Sequence, residues 1–530
     1  MMAVLVVTAL TSDAVSLSAT GATGRMQSKA AAGGTVSIGE IEPDHLTPNR
    51  STLAFDEAHA LFTPLMNITP KGKIVKAMAK SIVPSKGARV WTITIKKGWT
   101  FQNGEPVRSS SFVNAWNATA YGPNAWLNNG QLSDIAGYPA LNPAKKGAKP
   151  AKKLAGLKIL NPTSFRVTLI KADSQFPWEL TANQAGFYPL PKAAFTNPAG
   201  YDLAPVGNGP FEMVGKWQHN VAINVRRWSG YKGTKPHVAA IHFKIYSSLE
   251  TAYNDVLAGN LSITDIGLNQ YGQAIKQFPN ALIAFNAPAI DFLGFSLWDP
   301  QLKDKRVREA ISMAIDRPAI SKALFAGLLT PASDWVPANV PGYHKGLCGQ
   351  FCTYNLAKAK SLLKAAGGFK GTLTIAYPGG QGYDPTYQAI GNEIRQNLGI
   401  KVTYSVPNGF GPFLTDVGAK KINGAYRGHW GALYPSMVNT LQSLYTPTGA
   451  GYFELVVYNN PKVTAALLAG NAATTQAGAV AQYRHADDLI AADFPTAPLF
   501  YSRYVYIHSN HVSNVVIDDN QIELSKLTVP

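Results

Sequence analysis

Residues 372–406 limit what this chain can fold into more than any other stretch. A β-branched run over 372–377, a helical pattern over 385–398 and a second apolar run over 400–406 make one β-α-β unit. A crossover of that length joins parallel strands, and the connection is right-handed. Such a unit is stable only inside a layered α/β domain. The remaining chain is long enough for more than one: at about 150 residues per domain, 530 residues give two to four.

The rest of the chain reads the same way. Residues 34–39 form a first strand. Residues 90–96 alternate, with Trp91, Ile93 and Ile95 on one side, and predict a half-buried strand before the turn at Asn103-Gly104. Residues 109–118 predict a helix capped by Ser109. Residues 142–158 carry six lysines and almost no large apolar side chain, a solvated loop. Strands follow at 222–227, 240–246 and 261–266, with a helix at 250–258 between the last two. Val307, Ala310, Ile311, Ala314 and Ile315 mark an amphipathic helix. Asp316 caps the next one, and Asn355 caps a third that Gly367-Gly368 stops. A late helix at 475–492 precedes a strand at 497–508. No internal repeat is visible.

Composition excludes more than it selects. Apolar residues make up 46% and charged ones 15%, so the chain is globular and not disordered. The excess of 48 basic over 31 acidic residues, +17, suits nucleic acid, an anionic membrane or an anionic cell wall equally. Two cysteines exclude a disulfide framework and a four-cysteine metal site. Cys348 and Cys352 read as a small-loop disulfide, with free thiols or a metal as the alternatives. Residues 1–32, an apolar start followed by small polar residues, resemble a secretory signal without its basic head. Thr20 stands where a lipobox would carry cysteine; a disordered tail is the other reading. There is no phosphate loop, nucleophile elbow, zinc helix or paired acid and base. A binding protein is therefore expected, with no catalytic residue, metal or cofactor.

Several segments then resemble one family in order. They are Val90 to Val107, containing Phe101-Gln102-Asn103-Gly104-Glu105-Pro106-Val107; the turn Pro205-Val206-Gly207-Asn208-Gly209-Pro210-Phe211; Val307-Arg308-Glu309-Ala310 continuing to Ala314-Ile315-Asp316-Arg317; residues 352–363; and Trp430-Gly431-Ala432-Leu433-Tyr434-Pro435. Together these are similar to the family 5 extracellular solute-binding proteins, the peptide/nickel-type receptors of ABC importers, and in flavour to actinobacterial oligopeptide receptors.

The resemblance implies a two-lobed, Venus-flytrap α/β fold that closes on its ligand by hinge motion. Lobe one would be 33–284 with an extra subdomain at 59–203, lobe two 285–492, and 493–530 a return to lobe one. The chain would cross between lobes at 284–289 and 492–496, and the lobes would not share one continuous sheet. It implies a secreted or cell-surface monomer that binds a peptide or peptide-like molecule and docks on permease subunits, with no nucleic acid. An enzyme or biosynthetic accessory on the same scaffold, a receptor for a sugar or metal chelate, and a cationic wall- or nucleic-acid-binding protein are the alternatives. The candidate ligand-binding residues are Arg50, Ser51, Thr52, Arg427, His429, Trp430, Leu433, Tyr434 and Tyr501. In peptide-binding members an aspartate pairs with the ligand ammonium, and Leu433 occupies its position. That departure implies a neutral-to-positive pocket around Arg427 and poor binding of free-amine peptides, unless a lobe-one carboxylate such as Glu42 or Asp44 replaces it.

Overall fold

The β-α-β unit is the outer edge of the largest sheet. In the computed structural model, strands Thr372–Ala376 and Lys401–Ser405 lie parallel, Thr372 beside Lys401, and helix Asp384–Leu398 makes the crossover. Gly399, at a φ of 70°, ends that helix in the left-handed conformation that costs glycine least. The structure describes residues 33–530 apart from 70–71, 146, 182–184, 448–455, 457 and 519–520; the signal-like segment 1–32 lies outside the described residues.

From that edge the ladder continues through Gly424–Gly431 to two long strands, Leu282–Phe295 and Thr496–His508. Beyond them come Ile263–Asp265, Thr35–Ile41, Ala240–Tyr246, Ala222–Arg227 and Phe211–Met213. All belong to a single 11-stranded sheet. The expectation that the lobes would not share a sheet is therefore corrected. The chain crosses between lobes in two strands that pair with each other, so the ladder runs through the crossing unbroken.

Packing nevertheless divides where the ladder does not. One apolar core runs from Val36 to Phe243 and takes in Leu524 and Leu527 from the C-terminal segment. A second gathers Phe292, Ile311, Trp335, Leu441, Ile490 and Phe500. Helices Leu249–Leu257 and Tyr271–Gln277 send Tyr253, Val256 and Ala274 into this second core, although they precede 284.

The register of the long strands locates the crossing. Asn286 pairs with Arg503 and Ile290 with Tyr501, so Ala287, Pro288 and Ala289 bulge opposite Ser502 alone. Proline supplies no ladder donor, which suits it to such a bulge. The half of Thr496–His508 before Tyr501 lies against second-lobe strand, and the half after Arg503 reaches Ile263–Asp265. We place the second crossing at 501–503, later in the chain than 492–496.

The inserted subdomain is built on a four-stranded antiparallel sheet, Ala79–Ser85, Val90–Ile95, Ser164–Thr168 and Leu157–Asn161 at the far edge. Trp91, Ile93 and Ile95 are buried on one face as the alternation predicts. Helix Ser109–Ala120 covers that face, with Phe112 stacked on Phe165 at 5.8 Å. The helix's N-cap is Arg108, one residue earlier than expected, and its backbone N–H donates to Ser111 Oγ at 3.2 Å.

Cys348 and Cys352 form a disulfide, with Cα atoms 5.6 Å apart across the turn Gly349–Cys352. Its closed loop is far shorter than the fifteen residues for which about 3 kcal/mol is expected. Replacing both cysteines by serine should therefore lower unfolding free energy by less than about 3 kcal/mol in a urea titration. A larger loss would mean that the bridge does more than close a turn.

Lobe one also gathers buried and half-buried carboxylates with no cation beside them among the described residues. Glu40 stands one residue before the end of the first strand, Asp56 and Glu57 open helix Phe55–Leu61, and Asp265 ends its strand. Asp56 accepts from the backbone N–H of Ile522 at 2.9 Å, while Glu57 Oε1 has no partner among the described residues. Burial, then mutual repulsion, pushes Asp56 up to about 7 and Glu57 to about 8. Carboxyls raised on folding give stability that is full below their ordinary range and is lost as pH rises through the folded values. The melting temperature should fall between pH 6 and pH 8, and Glu57→Gln should flatten that slope. A melting temperature rising over this interval would contradict the assignment.

Candidate functional site

A cavity of about 480 Å³ lies between the lobes. Lobe one lines it with Ser51, Thr52, Asn128, Asp134, Asp173 and Glu179, and lobe two with Trp430, Leu433, Tyr434, Asn439 and Asn471. Each wall is fixed locally. Asp44 holds the loop after the first strand: Ser51 Oγ donates to it at 2.6 Å, and Thr52 donates through its backbone and hydroxyl at 2.8 and 2.7 Å. Burial opposes ionisation of Asp44, but these donors hold its carboxyl below the usual range. Opposite, the Leu433 backbone N–H donates to Asn439 Oδ1 at 3.0 Å, which turns the side chain toward the cavity, 38% exposed.

The lobes also touch directly at this place. Trp178 stacks on Tyr434 with ring centroids 6.5 Å apart. The Ser174 backbone N–H donates to Asn471 O at 2.7 Å, and Ser436 Oγ donates to the wholly buried Gln175 at 3.0 Å. These contacts latch the subdomain of lobe one onto lobe two beside the cavity.

The candidate residues read from the sequence divide. Ser51, Thr52, Trp430, Leu433 and Tyr434 line the cavity. Arg427 and His429 alternate with Trp430 on strand Gly424–Gly431 and lie on its other face. The Arg427 guanidinium sits 4.1 Å from the Tyr383 ring centroid and 5.9 Å from that of Phe410, and is 6% exposed. His429 Nδ1 is 2.9 Å from Asp291, which also accepts from Ser502 Oγ at 2.9 Å. Burial works against Asp291, yet His429, Arg427 and Ser502 hold its carboxyl below the ordinary range. This trio joins three strands at the hinge and is not a nucleophilic triad, because Ser502 donates to the aspartate and not to the histidine. Arg50 turns away to Pro198 O at 3.2 Å and Asp202 at 3.6 Å. Tyr501 is buried beneath the second lobe, accepting from the Ser333 backbone N–H at 3.1 Å.

Charge in the cavity overturns one expectation. Asp134, Asp173 and Glu179 face it with Lys171 as the lining's cation, so the pocket is acidic and not neutral to positive. Glu42 and Asp44, the replacements weighed from the sequence, are committed elsewhere: Glu42 to His219 and Asn220, Asp44 to its own loop. Burial first, and the neighbouring carboxylates next, push Asp173 up to about 6 and Glu179 well above the ordinary range. Asp173 and Glu179 lie close enough that each perturbs the other's ionisation. Neither acid belongs to a motif. The available signal was their rarity, since residues 59–203 hold five acidic residues.

The model of the bacterial extracellular solute-binding proteins, family 5 Middle, matches residues 73–452. The chain belongs to that family. This solute-binding protein is 26% identical over 470 residues to the periplasmic murein peptide-binding protein MppA of Escherichia coli K12, covering 83% of this chain and 82% of that one. It is 25% identical over 488 residues to the glutathione-binding protein GsiB of Salmonella paratyphi A, covering 87% of each. Two solved structures share its fold. HbpA2 from Haemophilus parasuis superposes with a TM-score of 0.80 at 19% identity, over 94% of this chain and 100% of that one. The unliganded open form of the murein tripeptide-binding protein MppA gives 0.79 at 21%, over 94% and 98%. The two-lobed α/β architecture is thereby established.

A latch that closes the lobes over a ligand raises affinity by favouring the closed state. An aromatic pair is worth about 0.5–1.5 kcal/mol, so Trp178→Ala should weaken ligand binding about three- to tenfold. Small-angle scattering of the liganded variant should show a more open envelope. Unchanged affinity and envelope would show that the stack does not contribute to closure.

Proposed function

We propose that this chain is the ligand-binding component of an ABC importer, secreted or held at the cell surface, which encloses a peptide or peptide-like solute and hands it to permease subunits. The observation that carries the reading is a cavity walled by both lobes. A ligand touching both walls stabilises closure by its differential affinity for the closed state. The similarity to MppA, a murein peptide binder, and to GsiB, a glutathione binder, supports a peptide-like class.

The acidic wall refines the class. A ligand ammonium placed among Asp134, Asp173 and Glu179 gains charge-assisted hydrogen bonds that leucine at 433 cannot supply. The counter-charge has thus moved from the second lobe to the first, which reverses the inference drawn from Leu433. Binding a cation favours the ionised carboxylates, so protons compete with the ligand at low pH. Affinity should therefore rise as pH increases through about 6, where Asp173 titrates in the empty cavity.

Calorimetry with a tripeptide and its N-acetyl derivative tests this. The free amine should bind more tightly, and Glu179→Gln should cost it about ten- to 150-fold, the worth of a hydrogen bond to a charged group. Equal affinity of the free and acetylated peptides would remove the acidic wall from recognition. Failure of every peptide to bind would remove the peptide class.

A further inference from the structure

The chain's positive charge is unevenly placed. Residues 59–203 hold 18 basic and 5 acidic residues, so this inserted subdomain carries +13 of the total +17. Four of those acids are turned away from its outer surface. Asp134, Asp173 and Glu179 line the cavity, and Asp202 is bonded to His45 and lies beside Arg50. Outside the cleft, the subdomain therefore presents cations almost alone.

The form of that surface is set by its four-stranded sheet. Cross-strand register puts Lys158, Arg166, Thr92 and Val83 in one row. This row lies on the face opposite buried Phe165 and Ile93. Lys158 and Arg166 are exposed, and Val83 is 54% exposed. At the edge strand Leu157–Asn161, Ile159 and Leu160 are 43% and 40% exposed, and the preceding loop adds exposed Lys145, Lys149, Lys152 and Lys153. The outward row thus carries two cations and the exposed apolar Val83, with further lysines in the loop beside it.

We propose that this outer face is a docking surface for an anionic lipid membrane. Lysines near such a surface each gain about a factor of five in binding. Val83, exposed in the same row as Lys158 and Arg166, suits the headgroup boundary, where apolar side chains add to electrostatic attraction. Among the described residues, the same face lacks what single-stranded nucleic acid needs, a platform of exposed aromatic rings. The subdomain's Trp91, Trp99, Phe101, Phe112, Trp116 and Phe165 are all buried. For a receptor that delivers solute to a membrane permease, such contact keeps the loaded protein at the surface where the permease lies. Among the described residues no helix is long and apolar enough to cross a membrane.

Sedimentation with vesicles of phosphatidylcholine alone, and of phosphatidylcholine mixed with phosphatidylglycerol, tests the full-length protein. It should bind the mixed vesicles and not the neutral ones, and release them at about 1 M salt, where screening shortens to about 3 Å. The triple variant Lys152→Glu, Lys153→Glu and Lys158→Glu should lose at least about a hundredfold in vesicle affinity. An equal reversal on lobe two, Lys360→Glu, Lys364→Glu and Lys401→Glu, should leave binding within about twofold. Cooperative thermal unfolding at an unchanged melting temperature would show both variants folded. Equal binding to neutral vesicles, insensitivity to the subdomain reversal, or binding to nucleic acid or anionic wall polymer without binding to the mixed vesicles would each overturn the proposal.

Discussion

Everything in this protein hangs on the antiparallel pairing of Leu282–Phe295 with Thr496–His508. Each strand belongs to both lobes, so one ladder of hydrogen bonds carries the chain across twice and sets both walls of the cavity. A continuous ladder would also make the molecule stiff. The bulge over Ala287, Pro288 and Ala289 removes ladder bonds at one level, and there the backbone can change its angles without breaking either core. The Asp291, His429 and Ser502 group lies beside that level and ties three strands together, so bending is confined to a short segment.

A second constraint is the management of charge. With charged residues at 15% of the chain, each buried one is costly and tells something about its surroundings. Carboxylates collect at the first-lobe ends of strands and in the cavity, where burial and repulsion raise their pKa values. Apart from Lys171, the neighbouring lysines among the described residues stay on the outside of the subdomain. The same insertion therefore has two opposite faces: acidic toward the ligand cavity, basic toward the exterior. The latch made by Ser174, Gln175 and Trp178 grows from the segment that also bears Asp173 and Glu179, so closure and electrostatics are joined in a few residues.

Much of the architecture was legible because it is local. Parallel pairing across 372–406 follows from crossover length. Burial of Trp91, Ile93 and Ile95 follows from alternation, and the starts at Asp316 and Asn355 follow from side-chain oxygens that accept from the first-turn amides. The disulfide followed from two cysteines four residues apart. The Arg108 cap was missed because Ser109 offered a more familiar one, whereas the hydroxyl that bonds back is Ser111.

What only the tertiary structure decided is how distant segments meet. Leu433 pointed to a missing counter-charge, and along the chain nothing connects it with Asp173 or Glu179, more than 250 residues earlier. Hinge strands bring them to one cavity. The same pairing hides Arg427 and His429 on the far face of the strand that presents Trp430. It also fuses into one sheet the strands that the sequence assigned to separate lobes. The sequence by itself determined the elements, their order and the family, because spacing and hydrophobic period act over a few residues. Cavity charge, the latch and the true crossing points required the fold, because they depend on strand register and on side chains that meet through space.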